Sequence, residues 1–208
     1  MERSNPMARD EFRPATGRLV SGGMLVLCAV GLVGVTREDG WQDGLRWAPF
    51  LALVAGLGWA MFWHPRVVVD FEGVTMVNVV RTITVPWPAI VEVDTRWGLT
   101  LVTVSGRYRA WAAPAPGAAH VLRHSPRHEG RHLPATTYRQ GTVRPGDLPS
   151  SASGGAALIV RTWWEQLQRQ GALEEPRLEF ASIPVRWHAR TLLVLTCLVA
   201  ACSLSVIL

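Results

Sequence analysis

The sequence contains no lysine, because all 21 of its basic residues are arginine. Such a chain has neither the lysine of a phosphate-binding P-loop nor a lysine that forms a Schiff base with a carbonyl substrate. Two large classes of enzyme are therefore excluded before any motif is considered.

Cysteine is also scarce, and the three cysteines, Cys28, Cys197 and Cys202, all lie within long apolar stretches. The remainder of the chain therefore has no disulfide, no thiolate ligand for zinc and no cysteine nucleophile. We expect a protein that is not an enzyme and that holds neither a metal ion nor a cofactor.

Charge is absent from three stretches, 19–35, 47–63 and 191–208, each of 17 or 18 residues. A helix of this length is roughly 26 Å long, close to the ~30 Å hydrocarbon core of a bilayer. A helix on the surface of a soluble core shows a polar stripe, and these stretches show none. The sequence predicts three transmembrane helices with these bounds. No small-residue cleavage site follows the first, which favours an uncleaved anchor over a signal peptide.

The placement of arginine predicts the orientation of these spans. Segment 1–18 has four arginines, and the loop 36–46 has a net charge of −1. The region 64–190 has fifteen arginines and ten acidic residues, a net charge of +5. The positive-inside rule therefore places the N-terminal segment 1–18 and the region between the second and third spans in the cytoplasm, with the spans in the plasma membrane.

Short runs rich in β-branched residues follow the second span and are separated by tight turns. Within 107–112 the side chains alternate, so that Arg107, Arg109 and Trp111 share one face. Several short strands joined by turns favour an antiparallel sandwich or barrel. The strands are predicted at 66–71, 74–80, 81–85, 90–95, 99–104 and 107–112.

A long proline-rich stretch, 114–153, separates these strands from an amphipathic helix over 155–170. Its composition and length predict a disordered insertion. Ser151 or Ser153 can cap the helix and Gly171 can end it. The apolar face of the helix predicts that it closes an open end of a barrel, with Trp163 and Trp164 in the core. A juxtamembrane linker, 172–190, then leads to the third span and includes a short strand within 183–188.

Three segments of this region resemble the bacterial PH-domain membrane proteins, specifically the low-molecular-weight-antigen-6-like type of high-GC Gram-positive bacteria. They are Asp70–Val74, Val85–Ile90 and Tyr108–Pro114. The resemblance implies an α+β membrane protein with a PH-like domain over 64–171, an antiparallel β-barrel of two packed sheets closed by a C-terminal helix. It brings no catalytic residues.

Histidines recur every fourth residue at His120, His124, His128 and His132, with an arginine directly before each of the last three. On one helix face such histidines could bind a transition metal or sense pH, but Pro126 and Gly130 interrupt any helix. A basic loop close to a membrane attracts anionic lipid, at about 1 kcal/mol per charge. The predicted lipid-surface contacts are Arg123, His124, Arg127, His128, Arg131 and His132.

Two other binding modes are disfavoured. The turn Phe71-Glu72-Gly73 is short and acidic, unlike the basic first hairpin with which PH domains bind phosphoinositides. The basic excess is what membrane topology requires, so it does not indicate nucleic-acid binding.

The sequence thus predicts a non-enzymatic membrane protein whose cytoplasmic PH-like module binds an unknown protein partner at a sheet edge or a groove beside the helix. The alternative is binding of membrane lipids through the loop 120–132.

Overall fold

The computed structural model describes residues 9–117, 145–171, 173 and 182–207. They belong to two compact units, which we call the module (Met1–Pro14 and Arg66–Arg186) and the helical unit (Ala15–Pro65 and Trp187–Leu208). In chain order the elements are β1 (Asp10–Phe12), α1 (Ala15–Glu38), α2 (Trp41–Gly58), β2 (Arg66–Val69), β3 (Gly73–Val77), β4 (Arg81–Pro86), β5 (Ile90–Asp94), β6 (Gly98–Thr103), β7 (Gly106–Pro114), α3 (Ala152–Arg169), β8 (Val185–Trp187) and α4 (Ala189–Ile207).

The helical unit contains three helices that are long and apolar enough to cross a membrane: α1, α2 with its π-helical extension to Trp63, and α4. The first is longer than predicted, because it continues past Arg18 and Arg37 into polar sequence. Apolar side chains such as Leu27 and Val194 are exposed on these helices. Such a surface is stable in contact with lipid, so the three helices indicate a membrane protein.

The module is built on two sheets, and the neighbouring strands from β1 to β4 and from β5 to β7 pair antiparallel. The first has the strand order β1-β2-β3-β4-β8 and the second the order β5-β6-β7. The two sheets that the resemblance implied are confirmed, whereas their closure into a barrel is wrong for the part of the chain that the structure describes. After β4 the chain turns through a short 3-10 helix, Trp87–Ala89, and starts the second sheet without extending the first. The strand predictions from β2 to β8 are confirmed, with small shifts at the ends.

Helix α3 packs on the core that the two sheets share. Ser151 caps the helix, since its Oγ accepts a hydrogen bond from the amide of Gly154 at 2.9 Å. The predicted helix and the burial of Trp163 are confirmed, although the helix begins three residues earlier than expected and Trp164 is half-buried. The buried residues of the helix in this core are Ala156, Ala157, Val160, Trp163 and Leu167.

Part of the predicted N-terminal segment 1–18 belongs to the module. Residues 10–12 form strand β1, which pairs with β2 in the register Asp10↔Val69, Glu11↔Val68 and Phe12↔Val67. A strand of three residues shows no periodicity of its own, so only the neighbouring edge of β2 defines it. The residues before α1 and those after α2 therefore belong to one unit.

The predicted disordered insertion 114–153 is wrong at its C-terminal end, whereas residues 118–144 lie outside the described residues. Pro145–Asp147 form a 3-10 helix, and Leu148 is fully buried. Asp147 accepts hydrogen bonds from Arg161 Nη1 and Thr95 Oγ1, both at 2.7 Å, with both ionic groups about 5% exposed. This buried ion pair orders a segment whose composition is typical of disorder, because neither charge can remain unpaired in the core.

Candidate functional sites

The lipid-contact residues predicted from the sequence all lie within 118–144, outside the described residues, so that prediction remains untested. The other prediction placed a partner at a sheet edge or beside the helix. In the module, the edge of β2 and helix α3 both contact strand β1, and we call the position between them the strand groove.

The strand groove already holds an extended segment, strand β1 of the same chain. The Asp10 carboxylate (Oδ2) accepts a hydrogen bond from the indole N–H of Trp163 at 2.6 Å. Two residues later and on the same face of the strand, the Phe12 ring packs against the module core and lies close to Gly155 of α3. A Cβ at Gly155 would be 3.3 Å from Phe12 Cε2, so glycine at this position makes room for the ring.

Trp163 is held in place by its own neighbours in the module. Its ring lies parallel to Trp87, with a centroid distance of 6.4 Å, and edge-on to Phe71, with a centroid distance of 5.4 Å. The indole N–H of Trp87 donates to the carbonyl of Asp70 at 2.8 Å. The Asp70 side chain in turn caps the amides of Glu72 and Gly73. The indole donor of Trp163 is therefore oriented by contacts that do not involve β1.

Glu11 points to the opposite face of β1 from Asp10 and Phe12. Its carboxylate is 3.2 Å from the guanidinium of Arg66 and also contacts Arg13. The Glu11 side chain is 38% exposed, so these ion pairs contribute about 0–1 kcal/mol. The specific recognition of β1 therefore comes from Asp10 and Phe12.

The edges of the second sheet are blocked locally by side chains of the module. Arg161 Nη2 donates to the Val93 carbonyl of β5 at 3.0 Å. On β7, Asn78 Nδ2 donates to the Arg109 carbonyl at 3.0 Å, and Asn78 Oδ1 accepts from the Trp111 amide at 2.7 Å. Strand addition at these positions would have to break internal hydrogen bonds.

A second surface, which we call the Trp–Arg face, consists of Trp97, Arg109 and Trp111. Trp97 is 69% exposed and Trp111 is 50% exposed. The Arg109 guanidinium donates to the Trp97 carbonyl, which fixes the arginine between the β5–β6 turn and β7. Gly98 has φ +123° and a Cβ there would be 2.8 Å from the Ala113 carbonyl oxygen, so only glycine fits this turn without strain.

The alternation in 107–112 correctly placed Arg107, Arg109 and Trp111 on one exposed face of β7. Sequence reasoning did not identify Trp97, which lies in a turn without periodicity, or the role of Asp10, whose partner is 153 residues away. Among the residues that the structure describes, no group of three or more His, Cys, Asp or Glu side chains is placed to hold a metal ion.

Residues 64–147 match the family model of the bacterial PH domain. The match begins two residues before β2, includes β2 to β7, and ends at Asp147, the acidic partner of Arg161. This part of the chain is therefore a PH-like domain. No curated protein and no solved structure matches the chain.

Proposed function

We propose that the protein is a non-enzymatic integral protein of the plasma membrane that displays its PH-like module to the cytoplasm and binds a protein partner there. The layout, with two apolar helices before the domain and one after it, supports assignment to the low-molecular-weight-antigen-6-like type. The observation that carries the proposed function is the Trp–Arg face, where two tryptophans are exposed beside an oriented arginine.

Exposed tryptophan is costly in water and contributes nothing here to the module core, which is formed by other residues. Tryptophan and arginine are the residue types most enriched among those that dominate the energy of protein–protein interfaces. Arg109 is oriented by its hydrogen bond to Trp97, so less conformational entropy is lost when a partner binds. These properties favour a protein partner for the face.

The test uses the full-length protein in its native membrane. A photo-crosslinking amino acid replaces Trp111, and a control carries it at Val104, which is exposed in the β6–β7 turn. We expect a discrete protein adduct from position 111 that is lost when Trp97→Ala is added, and no such adduct from position 104. Equal adducts from both positions, or adducts with lipid alone, would contradict the proposed protein partner.

The orientation is tested by labelling intact cells with an impermeant maleimide after replacement of the three native cysteines. Single cysteines replace Gln42 in the first turn of α2 and Gly117, where an added side chain meets no atom within 4 Å. A cytoplasmic module predicts labelling at position 42 and protection at position 117. The reverse pattern would place the module outside the cell.

The second candidate function is binding of anionic lipid through the loop 120–132. It is favoured by the three arginine–histidine pairs between residues 123 and 132, in a chain that also has helices apolar enough to cross a membrane. Attraction of this kind weakens with salt and increases as histidines gain a proton. The test measures binding of proteoliposomes that carry the protein to anionic vesicles. If neither added salt nor deletion of 120–132 weakens this binding, the lipid candidate is wrong.

A further inference from the structure

We propose that the strand groove is a binding site for an extended acidic–aromatic segment, Asp-x-Phe, of a partner protein, and that residues 10–12 occupy it as a ligand in cis. This site is separate from the Trp–Arg face, so the inference goes beyond the proposed function. The N-terminal strand thereby regulates access to the module.

The groove recognises three features of its occupant. The edge of β2 pairs with the backbone of an extended segment. The indole N–H of Trp163 binds a carboxylate on that segment. The space beside Gly155 accepts an aromatic ring two residues further on, because both side chains must lie on the same face of a strand. Backbone pairing provides affinity and the two side chains provide specificity.

The groove does not depend on β1 for its shape. Val67 and Val69 of β2 belong to the same buried core as Trp87 and Trp163. The contacts of Trp163 with Phe71 and Trp87 keep the indole donor in position when the strand leaves. A preorganised donor and edge bind a new segment without the cost of rebuilding the site.

The occupant itself is weakly attached. It is a strand of three residues, two of which are exposed, and its Glu11 ion pairs are at the surface. It belongs to the same chain as the groove, so its pairing is intramolecular and its local concentration at the groove is high. A partner segment can bind only the grooves that β1 has left. Its apparent affinity is therefore its intrinsic affinity multiplied by the fraction of grooves that are free.

The experiment uses the full chain in lipid nanodiscs and a fluorescein-labelled peptide, Arg-Asp-Glu-Phe-Arg, that repeats residues 9–13. The wild type is compared with the double variant Asp10→Ala/Phe12→Ala, which vacates the groove, and with Glu11→Ala as the matched control. Fluorescence anisotropy gives the affinity. We expect the double variant to bind the peptide at least about tenfold more tightly than the wild type or the control.

Two additional changes test the recognition itself. Adding Trp163→Phe to the vacated variant removes the N–H donor together with one ring of the buried indole, and should weaken peptide binding by at least about tenfold, the value of one charge-assisted hydrogen bond. The peptide Arg-Ala-Glu-Ala-Arg should not bind. If the double variant does not fold, Asp10→Ala alone provides a second route, because it removes the acceptor of the Trp163 N–H and leaves the Phe12 ring and the strand backbone unchanged.

Absence of peptide binding to a folded, vacated variant overturns the inference, as does equal binding of the two peptides. A further control carries Glu11→Cys in one copy of the protein and Val68→Cys in a differently tagged copy. A disulfide between the two copies would show that the strand in the groove comes from a second copy. The proposal that a different protein supplies the segment would then be wrong. The photo-crosslinking experiment at position 111 does not depend on the strand groove. Failure of peptide binding would therefore contradict this inference and leave the proposed function standing.

Discussion

Two side chains of helix α3, Arg161 and Trp163, lie two residues apart and both donate to an aspartate from a distant part of the chain. The Arg161–Asp147 pair is about 5% exposed and is completed by Thr95 and the Val93 carbonyl. Trp163 donates to Asp10, which is exposed on a three-residue edge strand. Similar hydrogen bonds therefore serve different purposes, because burial makes the first permanent and exposure makes the second replaceable.

The largest effect is expected at the buried pair. Arg161→Ala leaves Asp147 buried without its cation and should lower the free energy of unfolding by about 3–5 kcal/mol. Chemical unfolding of the full chain in detergent, followed by tryptophan fluorescence, measures the change. The matched control is Arg169→Ala on the same helix, where the arginine is 77% exposed and the change should stay within about 1 kcal/mol. Equal losses would show that burial does not distinguish the two arginines.

Removing both partners sharpens the same comparison. The double variant Arg161→Met/Asp147→Leu leaves no unpaired charge, so it should be more stable than Arg161→Ala alone. We expect recovery of about half of the loss or more, measured by the same unfolding experiment. A double variant that is less stable than the single one would mean that the remaining partners, Thr95 and the Val93 carbonyl, dominate the energy of this network.

A smaller and local effect is expected at the second aspartate. Asp10→Ala removes the acceptor of the Trp163 N–H and should destabilise the pairing of β1 by about 1–2 kcal/mol while leaving global unfolding nearly unchanged. Hydrogen exchange at the amides of Asp10 and Phe12, which face β2, should accelerate about tenfold or more. Faster exchange throughout α3 would contradict the separation between a permanent and a replaceable contact.

The smallest effect on stability is expected on the Trp–Arg face. Because Trp97 and Trp111 are at least half exposed, replacing both by alanine should change the free energy of unfolding by only about 0.5 kcal/mol. The same variant should lose the partner adduct that marks the face. A loss of stability comparable to that of Arg161→Ala would show that the tryptophans are structural.

Several elements were readable from the sequence because each carries its signal locally. Continuous apolar composition identified the three helices, short runs of β-branched residues between tight turns identified the strands β2 to β7, and the 3.6-residue pattern with Ser151 identified α3. The alternation around Tyr108 also identified Trp111 and Arg109 as exposed neighbours. The composition of 145–153 was misleading, because a buried ion pair overrides the tendency of proline, glycine and serine towards disorder.

The sequence alone determined a chain with three apolar helices and a β-rich domain closed by an amphipathic helix, because hydrophobic periodicity is a local property. Only the tertiary structure decided that the two sheets do not close into a barrel, that Asp147 lies beside Arg161, and that Asp10 lies beside Trp163. Those features join residues up to 153 positions apart. A pairing over such a distance leaves no periodic signal in the chain, because it exists only once the hydrophobic core has brought both segments to the same place.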